Sequence, residues 1–80
     1  MAEPNYRRVL EDLRRRIANG EWSSGDRKLP TTVELVEHYQ RVLAWPLLSR
    51  TTVRRAVEIL IESGELEGRQ GIGVFVPPSV

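Results

Sequence analysis

The chain contains no cysteine and only one histidine, His38. Without thiolates it can build neither a disulfide framework nor a thiolate zinc site, and a single imidazole excludes a His-rich metal cluster. No apolar run approaches the ~20 residues that cross a bilayer, and the N-terminus lacks the apolar core of a signal peptide. The default is therefore a cytoplasmic protein. Net charge is almost absent as well: 12 basic and 11 acidic residues leave +1, so global charge advertises no polyanionic partner. Lysine is nearly missing, Lys28 being the only one; the remaining cations are arginines, which suit bidentate contacts. There is no Gly-rich phosphate loop with a lysine and no metal-ligand spacing. Glu34 and Glu37 stand one helical turn apart without a partner constellation and read as a solvated face. These absences argue against an enzyme and imply no cofactor and no metal site.

What the chain does contain is concentrated in one place. Its 80 residues make one domain, at a size that buries only ~60% of the unfolded surface. Arg50, Arg54 and Arg55 crowd a short stretch, and Glu58, Glu62, Glu65 and Glu67 follow it, a segregation that leaves a local positive surface on a nearly neutral protein. Within this stretch Ser49 is placed to cap a helix by accepting from its first backbone N–H groups. Val53, Ala56, Val57, Leu60 and Ile61 recur at helical spacing and mark its core side. Arg50, Thr51, Arg54 and Arg55 fall on other sides, near the N-terminal end. Arginine can bond both acceptors of guanine, and a threonine methyl can touch the methyl of thymine, so such a helix tip suits DNA base edges. A plain amphipathic helix with a solvated basic end is the alternative.

The rest of the chain supplies a frame for that helix. Pro4 sits where a first helical turn tolerates it. Tyr6, Val9, Leu10, Leu13 and Ile17 mark one face of a first helix that Asn19-Gly20 ends. Arg7, Arg8, Arg14, Arg15 and Arg16 lie mostly off that face and read as surface paired with Glu11 and Asp12, although some of them could still reach phosphates. Ser23, Ser24, Gly25 and Asp26 belong to a connector, with Trp22 plugging the core against helix 1. Thr31-x-x-Glu34 is a capping-box pattern, and Leu35, Val36, Tyr39, Val42 and Leu43 carry a second helix until Pro46 stops it. His38 lies beside that stripe as a boundary residue. The third helix is predicted over Arg50–Ser63, with Gly64 as its C-cap. Glu65–Arg69 and Val74–Val76 read as short strands around a Gln70-Gly71-Ile72-Gly73 turn, and Pro77-Pro78 stops the second. The fold class is mainly α with a small β-hairpin: a winged helix-turn-helix of three helices and a C-terminal two-stranded wing, with room for a short extra strand near Arg27–Leu29. In that plan helix 3 enters the major groove and the wing touches the backbone or minor groove.

Four blocks in this order resemble the DNA-binding domain of the GntR (gluconate-repressor-like) family of bacterial transcription regulators. They are Tyr6–Gly20, Gly25–Pro30, Ser49–Ala56 and Gly64–Val76, the last closely similar to the family's wing. The resemblance implies that Arg50 and Arg54 contact bases or adjacent phosphates. Ser49, Thr51 and Thr52 would bond phosphates or approach bases near the helix start. Gln70 and Gly71 would place the wing tip in or beside the minor groove, with Arg69 adding charge. Each has a competing structural role: Ser49 as a cap, Thr52 as a back-bonding hydroxyl, Gly71 and Gly73 as turn formers. Arg55 could equally pair with Glu58 or Glu62.

The chain also departs from the family pattern. After Leu-Pro-Ser the family usually carries an acidic residue and then an arginine that often reads a guanine; here Thr32 and Val33 stand in those places, so that contact is absent. An extra residue sits near Lys28. The turn between helices 2 and 3 is longer, and because the apolar period continues through Leu43, a longer helix 2 is expected rather than a slack insertion. Trp45, Pro46, Leu47 and Leu48 would form the turn, with Leu48 in the core. The Trp45-Pro46-Leu47 group either packs on the domain or forms an exposed patch, and packing is favoured because exposed Trp and Leu together invite association.

The resulting expectation is sequence-specific binding of a double-stranded DNA operator by residues 1–76, as part of a repressor. Residues 77–80 would begin a linker or tail. The resemblance further implies a homodimer in the full-length protein or on DNA, and an effector ligand only if a C-terminal domain exists. The competing reading is a winged-helix protein-interaction module using the Trp45 region.

Overall fold

The computed structural model describes residues 6–78; Pro4 and the Ser79-Val80 end of the expected tail lie outside the described residues. Helix α1 spans Tyr6–Ala18, α2 Thr32–Val42 and α3 Arg50–Glu62, followed by β1 (Glu67–Arg69) and β2 (Gly73–Phe75). The strands pair antiparallel with Glu67 opposite Phe75 and Arg69 opposite Gly73. The expected extra strand near Arg27–Leu29 is present as a single bridge, Lys28 to Phe75. It is flanked by Leu29 N–H donating to the Val74 carbonyl and Val76 N–H donating to the Arg27 carbonyl, each at 2.8 Å. The connector thus becomes a third rung that fastens the wing to the helical body.

Val9 and Leu13 of α1, Leu35, Val36 and Tyr39 of α2, and Val53, Ala56, Val57 and Leu60 of α3 meet in one core with Leu29, Leu48 and Leu66. The apolar stripes predicted this core with one exception. Val42, expected on the α2 stripe, is 57% exposed. Leu43, one residue further on, still packs against the core, so Val42 lies at the edge of the α2 stripe rather than beyond its covered length. Helix α2 ends there, with Leu43 as its C-cap.

All three helices end in the same way, with a residue in left-handed conformation that turns the chain back over the last turn. After α1, Gly20 (φ 78) donates to the Ile17 carbonyl at 3.0 Å, and Glu21 to that of Arg16 at 3.1 Å. After α3, Ser63 is the C-cap and Gly64 has φ 84; Gly64 donates to Ile61 at 3.1 Å and Glu65 to Leu60 at 2.9 Å. After α2 the left-handed residue is not glycine but Ala44, at φ 50, and Trp45 donates to the Gln40 carbonyl at 2.9 Å. Because Glu65 and Leu66 both donate to the Leu60 carbonyl, they close α3. The strand expected from Glu65 therefore begins at Glu67, and the second runs Gly73–Phe75 rather than Val74–Val76.

Polar contacts across the chain lock α1 to its neighbours. The Tyr39 hydroxyl donates to Asp12 at 2.7 Å and accepts from Arg16 at 3.1 Å. The Arg16 guanidinium also pairs with Glu21 and lies 4.6 Å from the centroid of the Trp22 ring, which seats that half-buried indole as the core plug expected from sequence. Burial first, and then the bond to Asp12, push the Tyr39 phenol above its ordinary pKa, so it stays a neutral donor. Partial burial works to raise Asp12, but the Tyr39 hydroxyl and the Arg15 and Arg16 cations outweigh it and hold the carboxyl below its usual range. Arg14 forms a bidentate pair with Glu65, both bonds 2.8 Å. Arg7–Glu11 and Arg15–Asp12 pair along α1 as expected, whereas Arg14 and Arg16 reach carboxylates from elsewhere in the chain.

Candidate nucleic-acid interface

Ser49 enters α3 in an extended conformation, and its hydroxyl accepts from the Thr52 backbone N–H at 3.3 Å. It also shares a 3.1 Å hydrogen bond with the Thr52 hydroxyl. Both side chains therefore hold the helix start, and of the three hydroxyl residues singled out in the sequence only Thr51 is exposed without a side-chain partner among the described residues. Arg50, Thr51, Arg54 and Arg55 are exposed, while Val53, Ala56, Val57 and Leu60 are buried. Arg55 makes no ion pair with Glu58 or Glu62; its guanidinium lies 5.9 Å from the Tyr6 ring. Among the described residues, neither Arg50 nor Arg54 has a side-chain hydrogen bond, ion pair or ring partner.

The first turn of α3 holds no acidic residue. The exposed N–H groups of a helix N-terminus carry a partial positive charge, and a cation placed there is unfavourable in the isolated protein. Arg50 at the first helical position therefore adds to a positive potential that its own helix already produces. That arrangement costs the free domain stability and attracts anions to the helix tip.

The wing is the second element that the sequence singled out. Gln70, Gly71 and Ile72 at its tip are exposed, and the tip closes through Ile72 N–H donating to the Arg69 carbonyl at 3.0 Å, with Gly71 at φ 77. Arg69 does not reach beyond the tip. Its guanidinium folds back 4.6 Å from the Phe75 ring centroid, and its Nε donates to Glu67 at 3.3 Å. It contributes positive charge to the side of the wing rather than to its point.

At the start of α2, Thr31 and Glu34 form the reciprocal capping box read from the sequence. Val33, where the family pattern has arginine, is 47% exposed, so that position offers an apolar side chain. The α2–α3 turn divides the Trp45-Pro46-Leu47 group: Trp45 packs against the core with Arg8 5.3 Å from its ring centroid. Leu48 is buried, as expected, and Leu47 is exposed. Trp45 is thus a support rather than an open contact patch. The structure places two cations whose positions the sequence left open. Arg8 is brought to the turn by Trp45, and Lys28 stands beside Gly73 of the wing, its Cε within 2.8 Å of where a Cβ would be. No spacing in the sequence signals either, because both depend on how separate elements pack.

Three helices, a two-stranded wing and an outward third helix rich in arginine define the class of winged helix-turn-helix domains. Within that class the chain belongs to the gntR family of bacterial regulatory proteins, whose pattern matches residues 5–76. It is 38% identical over 74 residues to the mannosyl-D-glycerate transport/metabolism system repressor MngR of Escherichia coli (strain K12), covering 92% of this chain and 28% of that protein. It is 34% identical over 73 residues to the HTH-type transcriptional regulator YdfD of Bacillus subtilis (strain 168), covering 91% of this chain and 14% of that one. The chain thus spans between a seventh and somewhat over a quarter of the length of these two relatives. Among solved structures, AraR(DBD) in complex with operator ORR3 superposes with a TM-score of 0.76 at 32% identity, over 96% of this chain and 83% of the other.

Proposed function

We propose that this chain is a sequence-specific duplex-DNA-binding domain of a bacterial transcription regulator that acts as a repressor. In this reading α3 enters the major groove and the wing lies at the minor groove or backbone. The observation that carries it is the outward pair Arg50 and Arg54, exposed and unpartnered among the described residues, on a helix whose opposite face is buried. Arg50 and Arg54 contact base edges or flanking phosphates, and Thr51 approaches them from the same tip. Ser49 and Thr52 act mainly by fixing the helix start and, through it, those three side chains. Gln70 and Gly71 meet the minor groove or backbone, and Arg69 adds sequence-independent attraction. The repressor assignment draws on MngR, named as a repressor, and on AraR(DBD), seen with an operator.

The function is binding rather than catalysis, exercised in the cytoplasm. No helix among the described residues is long and apolar enough to cross a membrane. Residues 1–76 act as the DNA-binding unit. A palindromic operator would be read by two copies, one per half-site, and any effector would bind outside this domain.

Selection of bound sequences from random duplexes tests this directly. With the selected duplex, Arg50→Ala or Arg54→Ala should each cost roughly 1–3 kcal/mol, while Arg69→Ala should weaken specific and non-specific duplexes more evenly. Log K should fall by ~0.9 per neutralised phosphate for each tenfold rise in salt. Unchanged affinity in the Arg50→Ala, Arg54→Ala double variant would refute this assignment of the reading surface.

A further inference from the structure

The α2–α3 turn carries an apolar feature that the arginine surface does not account for. Leu47 is 89% exposed, more than any other large hydrophobic side chain in the described chain. A single exposed leucine ordinarily needs no explanation, but this one is held in place. Trp45 N–H donates to the Gln40 carbonyl at 2.9 Å, and Leu48 N–H donates to the Trp45 carbonyl at 3.2 Å. The Gln40 side-chain amide donates to the carbonyls of Pro46 and Leu48, at 3.3 and 3.2 Å, on either side of Leu47. The Pro46 ring fixes its own φ, and the Leu48 side chain is buried. Anchored at both neighbours, the chain directs Leu47 outward two residues before the cap of α3.

The surroundings select the occupant. Arg8 of α1 lies over the Trp45 ring, Arg41 is in the last turn of α2, and Arg50 opens α3. From His38 through Val57 the sequence contains no acidic residue. One exposed leucine, in a turn between arginine-bearing helix ends, is far smaller than the about 800 Å² per partner of a stable protein interface. It suits a polyanion that also displays small apolar groups, and in the major groove of duplex DNA that group is the thymine methyl.

Resting on the DNA-binding reading above, we propose that Leu47 is a specificity-determining residue that packs on the 5-methyl group of a thymine at the edge of the half-site read by α3. The Gln40 and Trp45 contacts act as its positioning frame. With this contact the α2–α3 turn becomes an additional reading element, on a chain whose α2 start carries Val33 instead of an arginine.

The test replaces each thymine of the selected duplex, one at a time, by deoxyuridine, which deletes only the methyl group. At a position in each half-site the change should weaken wild-type binding about fourfold, the worth of one buried methyl. The same change should leave Leu47→Ala binding unaltered, because that variant has already lost the contact. Its side chain is exposed, so its thermal unfolding should match that of wild type. Equal deoxyuridine effects in wild type and Leu47→Ala, or unchanged affinity of Leu47→Ala for the parent duplex, would overturn the proposal. So would sedimentation showing self-association without DNA that Leu47→Ala abolishes, which would assign the side chain to a second copy of the chain. A wild type that selects no sequence and is indifferent to Arg54→Ala overturns the DNA-binding reading and this proposal with it. Arg54-dependent binding without any deoxyuridine effect overturns the Leu47 contact alone.

Discussion

Ala44 occupies a backbone conformation that the other two helix ends give to glycine. At φ 50 its Cβ crowds the following carbonyl, a cost of roughly 1–2 kcal/mol for an L-residue. Glycine removes that cost but gives back part of it through a more flexible unfolded chain. Ala44→Gly should therefore be neutral or stabilising by up to about 1 kcal/mol, and Ala44→Val should destabilise by more than 1 kcal/mol, since a β-branched residue tolerates this region least. Urea unfolding of the two variants checks both signs; a Gly variant clearly less stable than wild type would show that the turn is not strained. Capping residues were legible at this scale, because Ser49, Thr31, Glu34, Gly20 and Gly64 act within a few residues of their own position. Ala44 was not, since its identity gives no hint of a left-handed conformation. Val42 misled for a different reason: periodicity places it at the edge of the apolar arc but does not tell how wide an arc the neighbouring helices cover.

At the scale of the element, α3 carries opposing demands. Its start is held by the Ser49 cap, and a cap of this kind contributes typically ~1 kcal/mol. Its first helical residue, Arg50, works against the helix dipole by a few tenths to about 1 kcal/mol. Ser49→Ala should lower stability by about 1 kcal/mol and weaken DNA binding in parallel, through frayed positioning of Arg50 and Thr51. Arg50→Glu should do the reverse to stability, raising it slightly, while abolishing specific binding. Paired thermal unfolding and DNA titrations of these variants separate the two effects; an Arg50→Glu domain that lost both together would mean that Arg50 supports the fold. Helices α1, α2 and α3 were legible from apolar spacing and caps. The strands were legible in place but not in extent, because Glu65 and Leu66 look like strand residues until their N–H groups are seen closing α3 on the Leu60 carbonyl.

For the whole molecule, the order of helices and wing could be read along the chain, but the ties between distant segments could not. Local spacing suggested that the α1 arginines pair with Glu11 and Asp12. Arg14 instead reaches Glu65, and Arg16 reaches Glu21, Tyr39 and Trp22. These ties predict how the domain responds to acid. Arg16 chiefly holds the Glu21 carboxyl below its ordinary pKa, Arg14 and Ser63 do the same for Glu65, and Asp12 is lowered by the partners already described. A carboxyl whose folded-state pKa lies below its unfolded value binds fewer protons when folded, so stability rises with pH across the gap between the two. The contribution is fully present above the unfolded carboxylate range, about 4, and is lost as pH falls through the lowered folded values. Glu21 and Glu65 face solvent in part, which screens their share and makes the loss gradual. The urea midpoint should therefore decline as pH drops below about 4. The Glu21→Gln and Glu65→Gln variants should start lower at pH 7 and decline less steeply, because the proton that wild type takes up on unfolding has been removed from each. A Glu21→Gln variant that follows the wild-type decline throughout would show that the Arg16–Glu21 tie does not couple the connector to α1 in solution.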